Sequence, residues 1–421
     1  MSSLGNKLKE ARKQRKLTQA ELAEGLMSRS YISQIEKGLA IPSYRTLVSL
    51  SNRLEQDINY FIEEQELKVL AFTDQKKILK NAQVQLELNN YKKTELLINQ
   101  IQSEYLSRIE DKDKGLYYWI LGEVWLNKNK WEKSIECLLK SMSFLQNMED
   151  ELDLIKCLNS LSKAYINSSS IESALQRLNE ASILLMKNQI SEPVKIEVLL
   201  NMAICHGRIG EFRSAIRLCK EANYINSITN KNYKSGQIFM TLGICYKKLG
   251  ELENAQKFYL KAEKLFDVFD SKFNKAGTLI NLGILSRKMK KYELSLEYIN
   301  SSKEIFSELE EVYQVFNCTI ELIRTYFNNG QITKAKNLAL ETVDTIPEKF
   351  SILKCQTYEL LSDLYILEEN TEEALNYIQL AEELVPENRI SELIIKKARI
   401  YMKLENFKIA AELFNSTFPP N

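Results

Sequence analysis

The chain has 421 residues, of which 44% are hydrophobic and 27% charged, the balance of an ordinary folded protein. Only 13 glycines and 6 prolines are present, which disfavours turn-rich β architectures and glycine-built nucleotide sites. The N-terminus lacks the apolar stretch of a signal peptide, and no apolar run is long enough to span a membrane. We therefore expect a cytoplasmic protein.

The net charge of +1 is unevenly distributed along the chain. Residues 1–54 contain ten Lys and Arg and four Glu, a net charge of +6, and the remaining residues carry a net charge of −5. Because residues 1–54 are basic and the rest of the chain is mildly acidic, we expect only the N-terminal segment to bind a polyanion such as DNA.

The residue types that build most catalytic and metal sites are scarce or scattered. The single histidine, His206, disfavours a Ser-His-Asp relay and histidine-rich metal sites. The seven cysteines include no Cys-x-x-Cys pair, and we expect them to be buried free thiols. No glycine-rich phosphate loop is present. The sequence therefore predicts no enzyme, no cofactor and no metal site.

Short helices with the spacing of a helix-turn-helix are predicted at the N-terminus. Apolar residues at helical spacing predict a first helix over residues 4–15. Thr18 and Glu21 have the spacing of a capping box, which begins a second helix. Ser28 caps a third helix that ends before Gly38. A polar third helix behind a bracing second helix is the arrangement that enters the major groove of DNA.

This N-terminal pattern resembles the Xre/Cro-like repressor family. The matching residues are Gly5, Leu8, Arg12, Leu17, Thr18, Gln19, Glu21, Leu22, Ala23, Ile32, Ser33, Ile35, Glu36, Gly38, Pro42, Leu47, Leu50 and Leu54. The resemblance implies a helix-turn-helix DNA-binding domain over residues 1–66. We assign residues 67–421 to a second domain, because a different pattern begins there.

The same resemblance implies which side chains face phosphates or base edges. They are Arg12, Arg15, Gln19, Ser28, Arg29, Ser30, Ser33, Gln34 and Lys37. For Arg12, an ion pair with Glu36 is an equally good interpretation. We expect DNA contact to be confined to residues 4–53.

The rest of the chain shows a helical repeat of roughly 40 residues. A small residue recurs inside the first helix of eight hairpins, with Ile323 in the same place in a ninth: Ala82, Gly122, Ser162, Ala203, Gly243, Gly283, Ser362 and Ala398. Aromatic residues follow three positions later, as in Trp125 and Tyr246. Small residues permit close helix approach and aromatics fill the space between hairpins, which is typical of tetratricopeptide (TPR) repeats. We predict an all-α fold in which nine hairpins form a right-handed superhelix with a concave groove.

A repressor-type N-terminal domain joined to a series of TPR repeats resembles the RRNPP family of peptide-pheromone receptors. The resemblance covers essentially the whole chain and is greatest to the NprR branch. The resemblance implies a quorum-sensing transcriptional regulator that binds operator DNA and is controlled by a short signalling peptide in the TPR groove. Two alternatives stay open. One is a TPR interaction module that sequesters a response-regulator protein, and the other is a phage lysis–lysogeny regulator of the same architecture.

Residues near the small position of each first helix are predicted to face this groove. Asparagine recurs there, and its amide donates and accepts hydrogen bonds at once, which suits an extended peptide backbone. The candidates are Glu123, Asn127, Asn159, Lys163, Asn201, Arg208, Asn281, Arg324 and Asn328. Arg208 or Arg324 is suited to hold a carboxylate. Ordinary polar surface is the alternative interpretation.

A single helix-turn-helix head touches few bases and binds weakly. We therefore expect a homo-oligomer, a dimer or a tetramer, on a two-fold operator. The C-terminal aromatic residues Phe407, Phe414 and Phe418 are available for contact between copies.

Overall fold

The computed structural model describes residues 4–148, 151–187, 192–384 and 390–417. Over these residues the regular structure is α-helical, with one 3₁₀ turn at Glu348–Phe350 and no strand. The predicted all-α class is confirmed. The chain divides into two compact units, residues 1–194 (unit 1) and 195–421 (unit 2). None of the described helices combines the length and the apolar character needed to cross a membrane.

The N-terminal part of unit 1 contains the predicted helix-turn-helix within a domain of five helices. Its helices are α1 (Leu4–Gln14), α2 (Gln19–Ala23), α3 (Arg29–Glu36), α4 (Tyr44–Leu54) and α5 (Ile58–Phe61). Leu8, Ile32 and Leu50 are fully buried in its core. The capping box forms, because the Thr18 hydroxyl accepts the Glu21 N–H at 3.2 Å and the Thr18 N–H donates to the Glu21 carboxylate at 2.6 Å.

Three glycines decide how the short helices of this domain meet. Gly25 and Gly38 follow α2 and α3 with φ angles of +70° and +71°, a conformation that residues with a side chain rarely adopt. At Gly5 a Cβ would lie 2.4 Å from the carbonyl oxygen of Ile35. Helix α1 therefore packs directly on the backbone of α3.

Nine antiparallel hairpins follow among the described residues, the predicted number. The first three are α6 (Glu64–Glu87) with α7 (Tyr91–Ile98), α9 (Asp111–Asn127) with α10 (Trp131–Leu145), and α11 (Leu152–Asn167) with α12 (Ile171–Lys187). The next three are α13 (Glu192–Arg208) with α14 (Phe212–Ile228), α15 (Ser235–Lys248) with α16 (Leu252–Val268), and α17 (Lys272–Lys288) with α18 (Tyr292–Glu308). The last three are α19 (Val312–Asn328) with α20 (Ile332–Thr345), α21 (Ser351–Leu367) with α22 (Thr371–Glu382), and α23 (Ile390–Lys403) with α24 (Phe407–Thr417). A short helix that the sequence did not predict, α8 (Ser103–Arg108), lies between the first two hairpins.

The two helices of a hairpin approach closely at the recurring small residue. A Cβ at Gly122 would lie 2.6 Å from the Leu138 side chain, and one at Gly243 would lie 2.5 Å from the Tyr259 ring. The second helix then contacts the first helix of the next hairpin, as α10 does with α11 and α16 with α17. Successive first helices also touch, α9 with α11 and α17 with α19. This is the packing of TPR repeats.

The helix-turn-helix domain and the first hairpins lie in one compact unit. Helix α4 contacts α6, and Arg45 Nη2 donates to Gln100 Oε1 at 2.6 Å. The expected boundary between residues 66 and 67 falls in the first turn of α6. A functional boundary at that point stays a prediction.

Candidate DNA-binding helix and candidate ligand-binding helices

Helix α3 presents polar side chains to solvent. Arg29, Ser30, Gln34 and Lys37 are exposed, and Ser33 is half-buried. Within the described part of the chain, these five side chains make no hydrogen bond or ion pair. Because their donors and acceptors are uncommitted, they are available to base edges and phosphates.

Ser28 and Arg15 are partly used within the domain. The Ser28 hydroxyl accepts the Tyr31 N–H at 3.2 Å and so caps the N-terminus of α3. Arg15 Nε donates to the Leu54 carbonyl at 3.0 Å, and its Nη2 lies 2.5 Å from the Glu55 carboxylate. The Arg15 side chain is still 40% exposed, so it keeps a position from which a phosphate is accessible.

Arg12 and Gln19 are held by a single carboxylate inside the domain. Arg12 donates to the two carboxylate oxygens of Glu36 at 2.6 and 2.9 Å and to the Leu17 carbonyl at 2.8 Å. Gln19 Nε2 donates to the same carboxylate at 2.8 Å. The Arg12 side chain is only 11% exposed. This geometry favours the ion-pair interpretation of Arg12 over the phosphate contact that the family resemblance implies.

The Arg12–Glu36 pair fixes α3 to the rest of the domain. Burial alone would raise the pKa of Glu36, but the hydrogen bonds from Arg12 and Gln19 lower this pKa below its ordinary value. The hydrogen bond with Glu36 correspondingly raises the pKa of Arg12. A two-point charged contact between α1 and the end of α3 restricts rotation of α3.

The candidate ligand residues of unit 1 lie on α9 and α11. Glu123 and Asn159 are buried, Lys163 is half-buried and Asn127 is exposed. The Ser160 hydroxyl donates to the Glu123 carboxylate, and Trp119 Nε1 donates to Ser160 Oγ at 3.0 Å. Glu123 thus takes part in a network that joins the two helices. Among these candidates, Asn127 is the most accessible.

The candidate ligand residues of unit 2 lie on α13, α17 and α19. They are Asn201, which is buried, and Arg208, Asn281, Arg324 and Asn328, which are exposed or half-buried. Asn281 Oδ1 accepts from Lys247 Nζ at 2.9 Å, and its Nδ2 donates to the Gly277 carbonyl at 2.9 Å. Arg324 pairs with Glu321 and donates to Gln356 Oε1 at 3.3 Å. A polar network therefore crosses α15, α17, α19 and α21.

Two members of this network were not expected from the sequence. Lys247 contacts Asn281, and Glu321 lies between Arg324 and Arg287, whose Nη2 is 2.7 Å from the Glu321 carboxylate. Lys247 lies four residues after the small position Gly243, one helical turn beyond the expected position. The four-residue spacing from Gly243 is therefore the sequence pattern from which Lys247 could have been predicted.

The predicted contact residues at the C-terminus lie on or beyond α24. Phe407 is 63% exposed and Phe414 is half-buried, whereas Phe418 lies outside the described residues. Contact between copies through this region stays a prediction.

Comparison with known proteins matches both parts of the chain. Residues 8–61 match the helix-turn-helix family model, and residues 236–266, which cover α15 and most of α16, match a tetratricopeptide-repeat model. These two segments therefore carry a helix-turn-helix and a tetratricopeptide repeat. Over 111 residues it is 29% identical to the uncharacterized HTH-type transcriptional regulator YqaE of Bacillus subtilis, which is 25% of this chain and 96% of that protein. Over 57 residues it is 42% identical to the ImmF control region 10 kDa protein of Bacillus phage phi105, which is 13% of this chain and 63% of that protein.

Solved structures extend the likeness over most of the helical repeat. The apo form of the quorum sensor NprR from B. thuringiensis matches with a TM-score of 0.64 and 14% identity, over 82% of this chain and 98% of that one. NprR in complex with its cognate peptide NprX matches with a TM-score of 0.58 and 15% identity, over 84% and 97% of the two chains. The resemblance to the RRNPP receptors is thereby confirmed at the level of fold.

Proposed function

We propose that this protein is a cytoplasmic transcription regulator that binds operator DNA through α3 and is controlled by a short peptide bound along the first helices of its TPR repeats. The matches to known proteins support a regulator-type helix-turn-helix joined to TPR repeats. We add to this that α3 contacts operator DNA and that a peptide controls the protein.

DNA binding is supported by the polar surface of α3, whose side chains are not engaged elsewhere in the domain. Arg29 and Gln34 are exposed and unpaired within the described residues. Arg donates two hydrogen bonds to guanine, and Gln pairs with the donor and acceptor of adenine. The surface of α3 therefore offers groups that distinguish bases as well as groups that bind phosphate. We place Ser30, Ser33 and Lys37 in the same interface, with Arg15 at its edge.

The peptide part is supported by the polar side chains on successive first helices. In unit 2, Asn281 on α17 is a half-buried amide and Asn328 on the next first helix, α19, is an exposed one. An extended peptide has an unpaired N–H and C=O at every residue, and such amides satisfy both. The quorum sensor NprR, which shares the fold, has been solved in complex with its cognate peptide.

We further propose that the protein acts as a homo-oligomer on DNA. One helix-turn-helix reads only a few base pairs, and dimers of such domains bind half-sites separated by about one helical turn or a multiple of it. Light scattering with and without DNA tests this step, since a strict monomer under both conditions would contradict it.

The test of the proposed function is a DNA selection followed by a peptide titration. Full-length protein is used to enrich binders from a randomised duplex pool, and the affinity for the enriched duplex is measured by fluorescence anisotropy. Pools of short synthetic peptides are then added, and we expect a subset to change the DNA affinity at least about tenfold, a coupling of about 1.4 kcal/mol.

Substitutions connect this experiment to the named residues. Arg29→Ala and Gln34→Ala are each expected to cost about 1–3 kcal/mol of binding and to relax base preference. Lys80→Ala, which removes an exposed cation from α6, is the matched control and should bind like wild type. Enrichment of no duplex, or equal affinity of all four proteins, would contradict the assignment of α3. A DNA affinity that no peptide alters would contradict the control by peptide.

A further inference from the structure

Four cations lie at the C-terminal ends of two first helices in unit 2, α15 and α17, which contact each other. This basic cluster consists of Lys247 and Lys248 at the end of α15 and Arg287 and Lys288 at the end of α17. Cations at a helix C-terminus interact favourably with the helix dipole, which accounts for the two exposed members, Lys248 and Lys288. It does not account for Lys247, which is half-buried.

Lys247 forms no ion pair with any residue that the structure describes. Its ammonium group donates to the neutral amide of Asn281 at 2.9 Å and lies 5.7 Å from the centre of the Tyr259 ring. Among the described residues, no carboxylate lies within ion-pair distance of Lys247 or Lys288. A positive charge that is withdrawn from water without a counter-ion is costly.

Among the described residues, Glu321 is the carboxylate that pairs with a member of this cluster, and it is already shared. Glu321 contacts Arg287 through one carboxylate oxygen and Arg324 through the other. Burial lowers the pKa of Lys247 to about 8, and the like charges of Lys288, Lys248 and Arg287 lower it too, whereas Glu321 raises it. Among the described residues, Glu321 is thus paired with Arg287 and Arg324, and Lys247 and Lys288 are left without an ion pair.

We propose that the basic cluster is the site at which a carboxylate of the peptide ligand binds, with Lys247 and Lys288 as its ion-pair partners and Asn281 beside it. This inference rests on the proposed function and specifies its ligand, a peptide that presents either a free C-terminus or an acidic side chain to α15 and α17. A bound carboxylate supplies the counter-ion that Lys247 lacks, and a charge-assisted hydrogen bond at a site of limited solvent access is stronger than a neutral one.

Three synthetic peptide pools distinguish the source of the carboxylate. The first pool contains short random peptides without Asp or Glu and with a free C-terminal carboxylate. The second pool has the same sequences with a C-terminal amide, and the third is the amide pool with one Asp added. Each pool is incubated with the full-length protein, and retained peptides are quantified by mass spectrometry.

We expect the wild-type protein to retain the first or the third pool at least about tenfold more strongly than the second. Retention of the first pool assigns the terminal carboxylate, and retention of the third assigns an acidic side chain. Lys247→Met and Lys288→Met should bring the retention of all pools to a common level. Lys264→Met, which removes an exposed cation from α16, should behave as wild type.

Two contrary results have different meanings. Equal retention of the three pools by the wild-type protein would overturn the carboxylate site and leave the peptide-receptor function standing. Retention of no pool would overturn the proposed function together with this inference. Circular dichroism confirms that the variants are folded, and two separate lysine variants ensure that a folding defect in one does not decide the result.

Discussion

At the scale of single residues, the contacts of a charged side chain separate a structural role from a binding role. Arg12 and Arg29 are both arginines in the basic N-terminal segment. Arg12 donates to the buried carboxylate of Glu36 and to a backbone carbonyl, whereas Arg29 is exposed and has no partner among the described residues. We therefore expect the two arginines to differ in what their removal costs.

Arg12→Ala is expected to destabilise the helix-turn-helix domain by about 3–5 kcal/mol, because it leaves the buried Glu36 carboxylate without its cation. Arg29→Ala should change the free energy of unfolding by less than about 0.5 kcal/mol. Denaturant unfolding of the full-length proteins, followed by circular dichroism, measures both. Equal stability of the two variants would show that the Arg12–Glu36 pair contributes little.

The same pair has a defined pH dependence. The pKa of Glu36 in the folded protein lies below its ordinary value of 4.5, so its stabilising contribution is present above that value and is lost as the pH falls through the lowered pKa. The stability difference between wild type and Arg12→Ala should therefore shrink below about pH 4.5. A difference that is constant between pH 7 and pH 3 would contradict this account.

The charge of Lys247 is expected to affect the free energy of unfolding in the opposite direction to that of Glu36, and the effect lies at high pH. The pKa of Lys247 is lowered from 10.5 to about 8 in the folded protein, so the charged side chain destabilises the fold below pH 8 and this penalty disappears as the pH rises to 10.5. Lys247→Met should be at least as stable as wild type at pH 7, and the gap should narrow between pH 8 and pH 10. Unfolding of both proteins at pH 7 and pH 9.5 tests this, with Lys264→Met as the control.

At the scale of helices, the small residue of each repeat sets the distance between the two helices of a hairpin. The Tyr259 ring occupies the space beside Gly243, and Ile299 does the same beside Gly283, where a Cβ would lie 2.4 Å away. The sequence predicted close approach at these positions from the recurrence alone. The ring and the aliphatic side chain that occupy the space were identified only by the structure.

Gly243→Ala is expected to destabilise unit 2 by about 1–3 kcal/mol, because the added methyl group overlaps the fully buried Tyr259 ring. Gly277→Ala is the matched control, since it lies in the neighbouring first helix α17 with no atom within 4 Å of the added Cβ. Alanine has the higher helix propensity, so this control should be stabilised by up to about 1 kcal/mol. Thermal unfolding of the two variants tests the difference, and two variants of equal stability would show that Tyr259 moves aside.

At the scale of the whole molecule, the uneven charge predicts where DNA affinity comes from. Residues 1–54 carry a net charge of +6 and the rest carries −5. Binding that releases counter-ions from phosphates weakens with salt, and the slope of log affinity against log salt concentration is about −0.9 for each phosphate neutralised. We expect that slope to depend on cations of the first segment only.

Lys37→Ala should reduce the magnitude of the salt-dependence slope by about one for each helix-turn-helix domain bound, because Lys37 is exposed at the end of α3. Lys80→Ala and Lys264→Ala remove cations from the helical repeat and should leave the slope unchanged. Anisotropy titrations at several salt concentrations, with a duplex enriched by the wild-type protein, provide the measurement. A reduced slope for either repeat variant would show that the body also contacts DNA.

The sequence by itself determined the all-α class, the helix-turn-helix and the nine hairpins. Capping boxes, helical spacing and a recurring small residue are local signals, and the physics that makes them readable acts within one or two helical turns. The polar surface of α3 was readable for the same reason, because it follows from which positions of a short helix are apolar. The family resemblance added the expectation of DNA and peptide ligands.

Only the tertiary structure decided which polar residues are committed. Arg12 meets a carboxylate 24 residues away, and Lys247 meets an amide 34 residues away. Whether a charge is paired or left without a counter-ion depends on the packing of different helices, which no local pattern contains. For that reason the structure favours the ion-pair interpretation of Arg12, one of the two that the sequence left open. Lys247, which the sequence did not indicate, became the centre of the proposed carboxylate site.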